Sequence, residues 1–315
     1  MNTGLKITAF AAALAATFGT AYGVGEVLDP VVADRAPAHD EQHEPSAPAA
    51  TGGGGHETAP AGGLQIAEGG YTLDLETPRV TAGDRADLRF TVRDDQGRAV
   101  TEYRREHDKE LHLIVASRDL LTYRHLHPAR AADGTWSTPV DLPRAGGYRV
   151  FADFTPAERG AENLTLGADL AASGSYRPQE LPPARATARV DGYEVELTGS
   201  LRPGRSSDLR LSVSRDGKPV TDLQPYLGAY GHLVALRSGD LAYLHVHPHG
   251  EPGDGTTEPG PEVSFAATAP TGGSYRLFLD FKHDGVVRTA AFTVHTGEAG
   301  APPSGTPEHS DGHGH

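Results

Sequence analysis

The 315-residue chain contains no cysteine, and its one methionine is Met1. Without a thiol there can be no disulfides, thiolate nucleophiles, iron–sulfur clusters, thiolate zinc sites or blue-copper centres, and no lipid-modified N-terminal cysteine. Copper(I) carriers rely on methionine and cysteine, so copper(I) trafficking is not expected either. The strong side-chain ligands left are imidazole and carboxylate. Positive charge is also scarce: 28 Lys+Arg against 42 Asp+Glu leave a formal charge of −14, the wrong sign for a phosphate-backbone partner. Nucleic acid is therefore not an expected partner. No Gly-rich nucleotide loop, nucleophile elbow or isolated pair of catalytic carboxylates is visible, and no enzymatic activity is expected.

Long apolar runs are confined to residues 7–24, an uncharged, Ala-rich stretch behind Lys6. Its length is near the lower limit for a bilayer span and long for the core of a signal peptide. Residues 1–25 are read as a signal-anchor or signal peptide, with the anchor favoured and Gly19-Thr20-Ala21 as the cleavage site of the alternative. Either way the remainder is exported: to the outer face of the cell membrane behind a single span, or as a secreted protein. Residues 26–63 are rich in Pro, Ala, Gly and acidic groups and are expected to form a disordered tether; residues 297–315 are expected to form a disordered, His-containing tail.

Between these ends the sequence repeats itself. The segment 86-ADLRFTVRDDQGRAVT-101 matches 207-SDLRLSVSRDGKPVT-221, 112-HLIVASRDLLTYRHLHP-128 matches 232-HLVALRSGDLAYLHVHP-248, and 146-GGYRVFADF-154 matches 273-GSYRLFLDF-281. Three blocks in one order imply two homologous domains, placed at 64–174 and 187–296 with a proline-containing linker at 175–186. Apolar residues alternate at Leu88, Phe90 and Val92 and again at Leu209, Leu211 and Val213, with Gly-containing turn signals between the runs. This pattern predicts an all-β chain of two tandem immunoglobulin-like β-sandwiches behind an N-terminal hydrophobic helix.

The chain has 16 histidines, and the second block concentrates them. With a two-residue turn at Ser238-Gly239, His232 falls directly opposite His245, and His247 follows two residues along the same face. A turn at Arg118-Asp119 sets His112 opposite His125 in the same way, with His127 beyond. Opposed Cβ atoms lie ~4.5–5.5 Å apart, a span that two imidazoles can bridge through one metal ion. The histidine face also carries Val234, Leu236, Leu241 and Tyr243, so it is expected to face the core of its own sandwich with the histidines at the rim. Asp153 and Asp280 occupy matched positions in otherwise apolar strands. A buried acid needs a partner, which makes each a candidate fourth ligand or the acceptor that orients a ligand histidine. Histidines at strand ends also serve purely structural roles. His249 is read as a loop residue.

The phrases ELHLIVASRDLLTYRHLHP with GGYRVFADFTP, and GHLVALRSGDLAYLHVHP with YRLFLDF, resemble exported bacterial immunoglobulin-like proteins of the YtkA-like and copper-resistance C-type kind. The resemblance covers most of both domains. It implies heavy-metal or copper handling, with His112, His125, His127, Asp153, His232, His245, His247 and Asp280 as the positions of interest. Imidazole and carboxylate suit copper(II), zinc or nickel, and intrinsic affinity places copper(II) first. The His-Val-His tripeptide also occurs in copper–zinc superoxide dismutases, but the bridging histidines and the disulfide of those enzymes have no counterpart here. The expected role is that of a membrane-anchored metal buffer or accessory in metal homeostasis, with a metal pump or efflux component as partner. The alternative is an envelope interaction module whose histidines are structural or pH-responsive.

Overall fold

The computed structural model describes residues 61–244 and 246–296. The expected membrane segment, His245, the tail and all but the last residues of the expected tether lie outside the described residues. Among the described residues no helix is long and apolar enough to cross a membrane.

Among the described residues every regular element is a strand. In the first domain these are β1 (Ala67–Glu68), β2 (Tyr71–Leu75), β3 (Arg79–Thr81), β4 (Arg85–Arg93), β5 (Tyr103–Arg104), β6 (Leu111–Ser117), β7 (Tyr123–Leu126), β8 (Ala129–Arg130), β9 (Thr135–Asp141), β10 (Gly146–Pro156) and β11 (Leu164–Ser173). The second domain holds β12 (Thr187–Val190), β13 (Tyr193–Thr198), β14 (Ser206–Arg215), β15 (Lys218–Pro219), β16 (Gly231–Arg237), β17 (Tyr243–Leu244), β18 (Val246–Pro248), β19 (Glu262–Thr268), β20 (Ser274–His283) and β21 (Val286–His295). The sheets run β1-β2-β4-β9-β8 and β3-β11-β10-β6-β7 in the first domain, then β12-β13-β14-β19-β18 and β17-β16-β20-β21 in the second. The chain is thus two tandem immunoglobulin-like β-sandwiches, and the matched blocks occupy matched strands: β4 with β14, β6 with β16, β10 with β20.

Alternation explains each sandwich core. Leu88, Phe90 and Val92 on β4 are fully buried, as are Leu209, Leu211 and Val213 on β14, each set facing its own opposing sheet. By contrast β6 is buried at all seven positions. Leu111, Leu113 and Val115 point into the core of the first sandwich, while Ile114 and Ala116 join a separate cluster with Leu120, Tyr123, Phe151, Val234, Leu236, Leu241, Tyr243 and Phe278. That cluster lies between the sandwiches, which belong to one compact unit. The expectation for the histidine face is therefore corrected. The face is buried, but against the other sandwich, while Leu233 and Ala235 serve the home core.

The tyrosines and phenylalanines of the interface come from equivalent positions. Tyr123 stacks on Phe278 with ring centroids 4.1 Å apart and planes at 7°, and Phe151 meets Tyr243 at 5.7 Å. Replacing Phe278 with alanine removes the stacked partner from a closed apolar site and is expected to cost ~3–5 kcal/mol. Urea denaturation measures it, and a cost under ~1 kcal/mol would mean the two sandwiches do not stabilise each other.

The tether boundary also moves. Gly63 N–H donates to the Thr165 carbonyl at 2.7 Å, Tyr243 N–H donates to the Gly62 carbonyl at 3.0 Å, and Arg149 Nε caps the Gly63 carbonyl at 2.7 Å. This strap ties the edge of β11 to β17 of the other domain. Gly63 has φ of 72°, and a Cβ there would sit 2.4 Å from Phe151, so both backbone and space require glycine. Residues Gly62 and Gly63 are part of the fold, outside any tether.

Candidate metal centre

The two histidine-bearing hairpins pair two residues out of the expected register. Ile114 lies opposite His125 and Leu113 opposite Leu126; in the second domain Leu236 lies opposite Tyr243 and Ala235 opposite Leu244. The cause is turn chemistry. Asp119 Oδ1 accepts from Ser117 Oγ at 2.6 Å and from the Leu121 N–H at 3.3 Å, and Asp240 Oδ1 accepts from the Ala242 N–H at 3.1 Å. These aspartate turns widen each loop to four residues, closed by Ser117 N–H to Thr122 O and by Arg237 N–H to Ala242 O, both at 2.9 Å. A shift of two preserves the side-chain face, so the histidines stay on the predicted side while their opposed partners change.

What the fold brings together is one cluster shared by both domains. His112, His125 and His232 each offer a nitrogen, and the three lie within 4.8 Å of one another. The His112 and His232 rings stack with centroids 5.5 Å apart, and His125 lies 4.9 Å from His232. His127, just beyond β7, has its ring 4.9 Å from His125 and 5.5 Å from His112, and its Nε2 is buried with no hydrogen-bond partner. His107 and Tyr226, which the motif search did not single out, complete the surroundings. The His107 ring is 5.9 Å from His232, and the Tyr226 ring 6.3 Å from His125. Both lie in the short hairpins that precede β6 and β16, outside the repeated block.

Hydrogen bonding fixes which nitrogens face inward. His112 Nε2 lies 3.2 Å from the Glu106 carbonyl, which can only accept, so that nitrogen carries the proton and Nδ1 is left with its lone pair. The Glu106 side chain is itself anchored by Thr155 Oγ1 and by Asn163 Nδ2. His125 Nδ1 donates to Asp280 Oδ2 at 2.9 Å; Tyr123 Oη donates to the same oxygen at 3.3 Å and Thr289 Oγ1 to Oδ1 at 2.5 Å. Three donors thus converge on one buried carboxylate. With its Nδ1 engaged, His125 turns Nε2 toward His112 Nδ1, 3.2 Å away. Two lone pairs at that distance repel, and a metal ion bridging the two nitrogens would relieve the repulsion. Two nitrogens bound to one metal at ~2.0–2.1 Å lie ~2.9–3.4 Å apart for angles between square and tetrahedral.

Burial keeps most of the cluster uncharged. Burial, then the neighbouring His125, pushes His112 down to about 3 and His127 down to about 4. His232 is held well below the usual histidine range, again chiefly by burial. A neutral imidazole is the form that binds a metal. Burial pushes the Tyr226 hydroxyl up to about 12, with the Asp280 charge adding to it.

The remaining expected positions separate. Asp280 faces His232 in the β16–β20 ladder yet gives its carboxylate to His125 of the other domain. Asp153 holds the matching place opposite His112 and accepts from Asn163 Nδ2 at 2.8 Å and Thr165 Oγ1 at 3.5 Å. His247 leaves the cluster: β18 crosses to the other sheet, setting His247 against Ala266 of β19 with its side chain exposed. His245 lies outside the described residues. His249 is exposed, 3.5 Å from Asp208. Buried His283 sits between Tyr193 and Asp222, at 2.7 Å and 3.0 Å.

Replacing Asp280 with asparagine keeps the shape, removes the charge and loosens the orientation of His125. Loss of such an orienting carboxylate is expected to weaken metal binding ~10–100-fold. Chelator competition measures it, and an unchanged affinity would mean the carboxylate plays no part.

Fold and site together define a tandem immunoglobulin-like β-sandwich protein with a histidine cluster shared by its two domains. Residues 65–166 and 188–298 each match the family described as Domain of unknown function (DUF8832), and the chain belongs to that family. A search of curated proteins gave no match. Among solved structures the chain is similar to the Escherichia coli adhesin FdeC at 15% identity and TM-score 0.22, with 75% of this chain and 66% of that one covered. Similarity to invasin, a bacterial integrin-binding protein, is 13% with TM-score 0.21, covering 72% and 39%. For Yersinia pseudotuberculosis InvD the values are 13% and 0.23, covering 72% and 57%. The chain thus spans less than two thirds of each of these proteins.

Proposed function

We propose that the protein is an exported, membrane-anchored binder of one divalent metal ion, copper(II) foremost, held between its two sandwiches and serving as a buffer or accessory in metal homeostasis. The observation that carries this reading is the 3.2 Å approach of His112 Nδ1 to His125 Nε2, with the far nitrogen of each ring committed to Glu106 and Asp280. His232 supplies a third imidazole from the second domain after a ring movement on the order of 1 Å, and the unpartnered Nε2 of His127 is available as a fourth. All-nitrogen donation without thiolate suits copper(II) over zinc and nickel by intrinsic affinity.

One sequence feature supports export: the uncharged run at 7–24 behind Lys6. Delivery to or from a pump or efflux component follows from the buffer role. The test is titration of the chain with copper(II) and with zinc while following thermal stability. One tight equivalent and a raised melting temperature support the proposal, since a ligand held at 100 times its Kd adds ~2.7 kcal/mol. No gain in stability at saturating metal overturns it and leaves the histidines as a structural or proton-binding element of an envelope interaction module.

A further inference from the structure

Two of the four imidazoles proposed to hold the ion are largely shut off from water, His112 at 7% exposure and the His125 side chain at 3%, while His232 is half-buried. A hydrated ion cannot reach such a site in one step, because it must exchange its water or carrier ligands one at a time for protein nitrogens. His107 is exposed, and its ring stands 5.9 Å from His232 and 6.1 Å from His112, within one side-chain movement of both. It is the outermost member of the cluster.

Its backbone is held in a tight turn. Glu106 and Lys109 exchange both backbone hydrogen bonds, at 2.8 Å and 3.0 Å, around a two-residue turn with φ of 50° at His107 and 64° at Asp108. Glycine, asparagine, aspartate and histidine enter the left-handed region more readily than other residues, so His107 suits its place in this turn. The equivalent turn of the second domain, Tyr226 to Ala229, has Leu227 at the matching position and abuts the first: a Cβ on Gly228 would lie 3.7 Å from His107 Nδ1. One side of this double hairpin offers a ligand and the other a hydrocarbon, and among the described residues of the cluster His107 is the exposed imidazole.

We infer that His107 is the gateway ligand, the imidazole that first captures a divalent ion presented on a small amino-acid-type chelator and passes it inward to His232 and His112. This rests on the metal-binding reading above and specifies how that site is loaded. The ion stays divalent throughout; only its ligands exchange.

The test uses the full chain with copper(II) bis-glycinate as probe, following the visible copper absorption by stopped flow. His107→Asn tolerates the left-handed backbone and removes the strong donor, and His107→Gly removes the side chain with no backbone strain, so both variants fold. The expected result is loading slowed at least ~10-fold in both, with equilibrium affinity by chelator competition within ~3-fold of the unaltered chain. Unchanged loading rates overturn the gateway and leave the metal site standing. An affinity loss of ~100-fold also overturns it, making His107 a permanent ligand. Failure of the unaltered chain to take copper(II) from glycinate overturns the metal reading itself.

Discussion

If the proposed site holds copper(II), replacing His232 with alanine is expected to lower the affinity at least ~100-fold, a loss of ~2.7 kcal/mol, while both sandwiches remain folded. The size follows from the cluster's construction. Among the described residues His112, His125 and His127 belong to one domain and His232 is the imidazole contributed by the other, so its removal leaves a site built from the first domain alone, with one proposed ligand replaced by water. The fold survives because the interface is held by the Tyr123–Phe278 stack and its apolar neighbours, none of which depends on His232. Chelator competition gives the affinity and circular dichroism the fold. A loss below ~3-fold would mean that His232 does not touch the ion.

Between pH 7 and pH 5, in the presence of chelator, the protein loses stability steeply. His112 titrates at about 3 when folded, against ~6.5 in an unfolded chain. The folded pKa is depressed, so the unfolded state binds more protons below pH 6.5, and stability falls as pH falls through that window. The contribution is fully present above pH 6.5 and is lost progressively down to about 3. For His112 alone the loss from pH 7 to pH 5 is ~2 kcal/mol. His232 acts in the same direction, and His127, more open to solvent, adds a smaller, screened amount. Urea denaturation at intervals of half a pH unit measures the slope, and His112→Gln should flatten it. Constant or rising stability across this window would contradict the burial of neutral histidines.

The duplication and the alternation of Leu88, Phe90 and Val92 made the two sandwiches readable in the sequence, because period-2 burial is a local property of a strand. The histidine face was readable for the same reason, since a shift of two residues leaves faces unchanged. The register was not: whether Asp119 and Asp240 fold back on their own loops depends on side-chain hydrogen bonds that spacing does not reveal. A site within one or both hairpins was expected where the fold gathers histidines of both domains into one cluster, because nothing in a single hairpin says which surface will cover it. A hint did exist in the runs HLIVA and HLVAL, apolar at successive positions, which mark strands buried on both faces. Asp280 could be recognised as an acid in need of a partner, but that the partner is His125 of the other domain is a product of docking. His247 dropped out because its strand changes sheet immediately after β17, and His107 was passed over because it lies outside the repeated block.

The number of tight copper(II) ions per chain, counted by chelator competition on the full protein, on His125→Ala and on His232→Ala, tests most directly whether both domains build one site. The shared cluster predicts one tight ion for the unaltered protein and none for either variant, although the altered residues lie in different domains. Two tight ions, with one surviving in each variant, would contradict it and restore a separate site in each sandwich.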